Sequence, residues 1–204
     1  MVLIGMLDSP YVRRCAVSMK LMGVPFEHRP VSVFRHYEQF RNINPVVKAP
    51  SFVCDDGTVL MDSTLILDYV ESTVEPSRRL TPGSTERRKQ TLRINGLALA
   101  AAEKCVQMIY EHQQRPPEKR HDAWLKRVEG QANAAFGELE TAVVRDGWLQ
   151  GDRMNAADVV TACVWRFAQF YRKETTIDPE RYPKLALHSA RAESLPEFVS
   201  TPLD

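Results

Sequence analysis

The apolar pattern of this chain changes period once, and that change restricts the fold more than any other feature. Up to about residue 76, apolar residues come in short runs divided by Gly and Pro; beyond residue 84 they recur every three or four positions over long stretches. Short runs bounded by turn residues make buried strands, whereas the longer period is that of a helix with one buried face. The chain therefore reads as an α/β unit over residues 1–76, a linker over 77–83 with Pro82-Gly83, and an all-helical unit over 84–204.

Within the first unit, Val2-Leu3-Ile4 reads as a strand, and Ser9-Pro10 opens a helix that stops at Gly23. Serine is a favoured N-cap, and proline at the first helical position gives up only an N–H that had no helical partner. Val12, Ala16 and Met19 mark that helix's inner face, and residues 26–33 read as a second strand. A polar, weakly helical stretch covers residues 35–42. Two apolar runs, 51–54 and 59–61, flank Asp55-Asp56-Gly57 as a hairpin. Asp62-Ser63 then caps a helix whose inner face is read as Leu65, Ile66, Tyr69 and Val70. The order is βαβ followed by ββα.

In the second unit, one long helix carries Ile94, Leu97, Ala98, Ala101, Cys105, Met108 and Ile109 and ends at Pro116-Pro117. The next carries Leu125, Val128, Ala132, Ala135, Phe136, Leu139 and Val143 and closes near Gly147. Asn155 and Asp158 are spaced as a capping box, with Met154 and Val159 as its hydrophobic staple. The helix behind them is apolar on most faces, which places it at the centre. Shorter helices follow Pro183 and Pro196.

Charge and cysteine usage narrow the function classes. With 27 basic and 26 acidic residues the net charge is +1, so the chain is not built to grip nucleic acid or an anionic membrane. A local excess exists: Arg78, Arg79, Arg87, Arg88, Lys89 and Arg93 face a single Glu86. It reads as a solvated helix face, since no aromatic interleaving supports a nucleic-acid patch. Cys15, Cys54, Cys105 and Cys163 lie far apart, and the five histidines show no ligand spacing, so neither a disulfide framework nor a metal is expected. Residues 1–8 lack a basic leader, no apolar run approaches the length of a membrane span, and the expected compartment is the cytoplasm.

Four groups of residues then carry a resemblance: Ser9-Pro10-Tyr11-Val12-Arg13-Arg14, Asn44-Pro45 with Lys48-Ala49-Pro50, Asp62-Ser63, and the stretch from Gly151 to Asp158 holding the Asn155 box. In this order and at these separations the chain resembles the cytosolic glutathione S-transferase family, and most closely its bacterial serine-type members. The resemblance implies a thioredoxin-like first unit, a helical second unit that holds a small hydrophobic electrophile, and a homodimer. Glutathione would be the co-substrate, with no metal. Ser9 would donate a hydrogen bond to the glutathione thiolate. Tyr11, Lys48, Ala49, Pro50, Asp62 and Ser63 would bind the tripeptide: Ala49 by its backbone, Pro50 as a cis-proline, Lys48 at the glycine carboxylate, and Asp62 and Ser63 at the γ-glutamyl group.

The residues alone leave plainer readings open. Ser9 and Asp62-Ser63 also read as helix caps, and Lys48 as a solvated loop lysine. Cys15, in apolar surroundings beyond the first helical turn, reads as a structural thiol rather than a nucleophile, as do Cys54 and Cys163. Two other functions stand beside the transferase: a non-catalytic binding module of the same fold, and a glutathione-dependent isomerase. Isomerases of the maleylacetoacetate type carry Ser-Ser-Cys where this chain has Asp8-Ser9-Pro10.

Overall fold

A computed structural model describes residues 1–144 and 146–203, so Arg145 and Asp204, which end or interrupt expected spans, lie outside the described residues. The chain divides into two compact units, one of Met1–Thr81 together with the segment from Ser194 onward, the other of Pro82–Glu193.

In the first unit, β1 (Val2–Ile4), β2 (Glu27–Arg29), β3 (Ser51–Val53) and β4 (Val59–Met61) form one sheet in the order β2-β1-β3-β4. β1 pairs with β2 in parallel and with β3 antiparallel, and β3 with β4 antiparallel. A parallel neighbour requires a crossover, and α1 (Pro10–Leu21) supplies it. Its fully buried Val12, Cys15, Ala16 and Met19 follow the helical period. Strand residues alternate faces. Ile4 joins Val31 and Phe40 in a core beneath α2 (Tyr37–Ile43), while Leu3 lies on the other face. β2 is shorter than the run 26–33, because Pro30 has no N–H to continue the ladder and the chain turns at Val31, whose N–H bonds the Arg29 carbonyl.

Two further differences have physical causes. In α3 (Ser63–Ser72) the buried set is Ser63, Ile66, Leu67 and Val70, whereas Leu65 is 63% and Tyr69 38% exposed. The face that packs against α1 is formed by this set, which leaves Leu65 and Tyr69 turned outward. The expected helical unit ran to residue 204, but the segment from Ser194 packs with the first unit. Arg13 of α1 is 1% exposed. Its Nε donates to the Thr201 carbonyl at 2.8 Å, and its guanidinium lies 5.6 Å from the ring of Phe198 in α9 (Pro196–Val199).

The second unit consists, among the described residues, of α4 (Thr85–Gln113), α5 (Asp122–Ala142), α6 (Ala156–Phe170), α7 (Arg172–Thr175) and α8 (Pro183–Glu193), with short 3-10 turns. α5 stops at Ala142, short of the expected Gly147. α6 is the buried centre, with α4 and α8 against it. Phe136, Trp165 and Tyr182 meet with ring centroids 5.6–5.9 Å apart, and the Tyr182 hydroxyl bonds Asn133 Oδ1 at 2.8 Å. The capping box is present. Ala157 N–H donates to Asn155 Oδ1 (2.8 Å), and Asn155 N–H donates to Asp158 Oδ2 (2.9 Å).

Asp158 also accepts from Leu149 N–H at 2.8 Å, tying the preceding loop to the helix start. Burial pushes its carboxyl up to about 6, against the pull of these N–H donors. His188 of α8 lies beside it, with Nε2 3.8 Å from Asp158 Oδ1, and burial pushes its imidazole down to about 4, with the Arg191 charge adding to the shift. The two groups act on stability with opposite signs. Below the ordinary histidine value of 6.5 the unfolded chain takes the His188 proton first, so stability falls as pH drops toward 4. Between about 6 and the ordinary 3.8 the folded chain takes the Asp158 proton first, so stability rises as pH drops. Urea midpoints at pH 7 and pH 5 test this: Asp158→Asn is expected to lose more stability on acidification than wild type. His188→Asn is expected to lose less than wild type, or to gain.

Candidate functional site

Strand register brings the three N-terminal motifs to one place. Ile4 pairs with Ser51, and Ser51 with Met61, so the C-terminal ends of β1 and β4 and the N-terminal end of β3 lie level. The segment from Gly5 to Ser9, the loop Lys48-Ala49-Pro50 and the pair Asp62-Ser63 all leave the sheet from that end. An ideal Cβ on Gly5 (φ +139°) would lie 3.2 Å from Ala49 Cβ and 2.5 Å from Val12 Cγ2, so glycine is what lets the proline loop and α1 close around β1.

Ser9 is the N-cap of α1 and is half-buried. Its Oγ accepts the Val12 N–H at 3.4 Å, a long bond for a cap. A hydroxyl has two acceptor lone pairs and one proton, so this cap occupies a lone pair and leaves the O–H to donate elsewhere. Capping and thiolate stabilisation are therefore compatible at this residue. Pro10 occupies the first helical position, and Tyr11 follows it, half-buried.

The Ala49–Pro50 peptide is cis. Asn44, which is buried, organises the loop leading to it. Its Oδ1 accepts Val46 N–H at 3.0 Å, its Nδ2 donates to Ser51 Oγ at 2.8 Å, and Ser51 Oγ donates to the Lys48 carbonyl at 2.8 Å. Val47 sits at φ +54°, and Asp62 at φ +67°. Such values are uncommon for side-chain-bearing residues, and both fall at this end of the sheet. Lys48 is exposed, so its ammonium is solvent-facing, and Ala49 is half-buried.

At α3, Asp62 Oδ1 caps the Thr64 N–H at 2.8 Å. Ser63 is the first helical residue, buried, with its Oγ accepting from Arg14 Nη1 at 3.2 Å. Helix N-termini favour anions, and here two of them, α1 and α3, begin at one end of one sheet. Cys15 is fully buried, with its Sγ 3.7 Å from the Ser63 carbonyl, inside the packing between the helices rather than in the opening. All four cysteines are buried thiols outside any disulfide. Among the described residues no three His, Cys, Asp or Glu side chains converge, and no helix is long and apolar enough to cross a membrane.

Sequence reasoning missed the parts played by Asn44 and Arg14. Asn44 was legible as half of an Asn-Pro turn but not as the anchor of the loop. A charged residue on a helix face gives no sign that it is buried.

The family model described as glutathione S-transferase, N-terminal domain, matches residues 3–78, and the corresponding C-terminal domain model matches residues 122–191. The chain belongs to the glutathione S-transferase family. Among curated transferase-family relatives, the uncharacterized GST-like protein YibF of Escherichia coli (strain K12) is 27% identical over 84% of each chain. The probable maleylacetoacetate isomerase 2 of Drosophila melanogaster is 23% identical over 91% of this chain and 80% of its own length. Among solved structures, a glutathione S-transferase from Methylobacterium radiotolerans, in complex with glutathione sulfonate, superposes with a TM-score of 0.89 at 25% identity. That match covers 98% of this chain and 93% of the other.

Gly5→Ala tests how this family member holds the loop end of its sheet together. The added methyl has no room against Val12, and the positive φ disfavours it. The expected loss is about 1–3 kcal/mol by urea denaturation.

Proposed function

We propose that the chain is a serine-type glutathione transferase, and the observation that carries this reading is the place of Ser9 at the N-terminus of α1, where its Oγ accepts the Val12 N–H and keeps a proton to donate. A thiol with an ordinary pKa near 8.5 is only a few per cent thiolate at neutral pH. A charge-assisted bond from the Ser9 hydroxyl favours the anion by about 1.5–3 kcal/mol, and the α1 N-terminus adds about 0.3–1 kcal/mol. At about 1.4 kcal/mol per unit, this lowers the thiol pKa by roughly one to three units. The thiol proton leaves to solvent, the thiolate sulfur bonds to the electrophilic carbon, and the leaving group departs with the electron pair of the broken bond.

In this reading the remaining residues hold the tripeptide. Asp62, which spends one carboxylate oxygen on its cap, takes the γ-glutamyl ammonium. Ser63 takes the γ-glutamyl carboxylate with its hydroxyl and N–H. The Ala49 backbone pairs with the cysteinyl backbone beside Pro50, Lys48 meets the glycine carboxylate, and Tyr11 lines the tripeptide. The second substrate is a small hydrophobic electrophile. Four buried thiols agree with a reducing cytoplasm.

A conjugation assay with a chloronitroarene checks the chemistry. Ser9→Ala is expected to lose about 10- to 100-fold in kcat/KM at pH 6.5 and to recover as pH rises toward the free thiol value. Asp62→Ala is expected to raise KM for glutathione. Equal rates for wild type and Ser9→Ala would remove Ser9 from its role, and no glutathione binding at millimolar concentration would favour a non-catalytic module. The similarity to the fly protein favours isomerisation as a second reading. Conversion of a cis-enone dicarbonyl substrate without conjugation would select it.

The same reading includes a homodimer. Leu65 and Tyr69 stand one turn apart on the outer side of α3 (63% and 38% exposed), and Val59 and Met61 of the edge strand β4 are also exposed. Leu65→Glu is expected to shift the protein from dimer to monomer in sedimentation. A monomeric wild type at micromolar concentration would reject the dimer.

A further inference from the structure

Arg14 lies in the middle of α1, charged yet only 3% exposed, and it reaches across to the first turn of α3. Its Nη1 stands 3.2 Å from Ser63 Oγ and 3.4 Å from Thr64 Oγ1. A guanidinium has donors and no acceptor, so in the bond to Arg14 the Ser63 oxygen accepts. The serine proton is thereby turned away from Arg14 and toward other acceptors. The Ser63 N–H, at the first helical position, has no partner within the helix. The neighbouring Thr64 N–H is taken by Asp62 Oδ1 at 2.8 Å and the Ile66 N–H by the Asp62 carbonyl at 2.9 Å.

We propose that Arg14 is a positioning residue for the γ-glutamyl carboxylate, orienting the Ser63 hydroxyl as an outward donor and polarising it. This rests on the assignment of Ser63 to that carboxylate. A hydroxyl that accepts from a cationic donor is itself a stronger donor, so the carboxylate gains from a charge it does not touch. The same Nη1 also reaches Thr64 Oγ1 and so bridges the first two residues of α3.

Binding measured by calorimetry separates this role from scaffolding. The ligands are glutathione and γ-aminobutyryl-cysteinyl-glycine, which lacks only the γ-glutamyl carboxylate. Arg14→Met is expected to weaken glutathione binding about tenfold and leave the analogue unchanged, with KM rising and kcat at saturating glutathione nearly constant. In Arg14→Met/Ser63→Ala the loss is expected to match that of Ser63→Ala alone. Arg14→Lys is expected to recover part of the affinity, and it decides the same ligand comparison if the methionine variant does not fold. Equal losses for glutathione and analogue, or additive losses in the double variant, overturn the inference. So does wild-type affinity in Arg14→Met while Ser63→Ala binds weakly, a result that leaves the role of Ser63 standing. An unaffected Ser63→Ala removes that role and this inference together.

Discussion

The pairing of Ile4 with Ser51 and of Ser51 with Met61 is the constraint on which the site depends. A slip of one residue would turn every strand side chain to the opposite face and carry Ile4 out of the core it shares with Phe40. Because burial forbids that slip, the register is secure. The three segments that leave the sheet at that level are held together as a by-product of core packing. The arrangement of the candidate site is thus set by apolar residues that lie outside it.

Two hydroxyl groups in this unit have capacity for a second bond. Ser9 accepts a backbone N–H and Ser63 accepts an arginine N–H, and in each case the protein uses a lone pair and leaves the proton. A helix cap and a ligand contact are often treated as competing explanations of one serine. Here the donor and acceptor inventory allows both, because they draw on different parts of the same group.

Buried charge is where sequence and structure part company. Val12, Ala16 and Met19 marked the inner face of α1 by spacing, and they are buried. Arg13 and Arg14 are buried too, because carbonyls near residue 200 and hydroxyls near residue 63 meet their donors. Those partners lie 188 and 49 positions away in sequence, beyond the reach of any local pattern. In α3 the apolar spacing allowed Leu65 and Tyr69 on the inner face, but packing against α1 buries Ser63, Ile66, Leu67 and Val70 instead. His188 beside Asp158 is another pair that only the folding of α8 onto α6 creates.

By itself the sequence determined what local physics dictates: the change from strand runs to helical periods, the caps at Ser9, Asp62 and Asn155, the hairpin, and the proline punctuation. Each depends on residues within a few positions of one another, so each is written where it acts. Tertiary structure alone decided that the motifs share one end of one sheet, that Asn44 anchors the proline loop, and that Arg14 stands behind Ser63. It also decided that the segment from Ser194 belongs with the first unit. These outcomes depend on strand register and on donors finding acceptors across long stretches of chain, and neither leaves a mark in residue order until the core has closed.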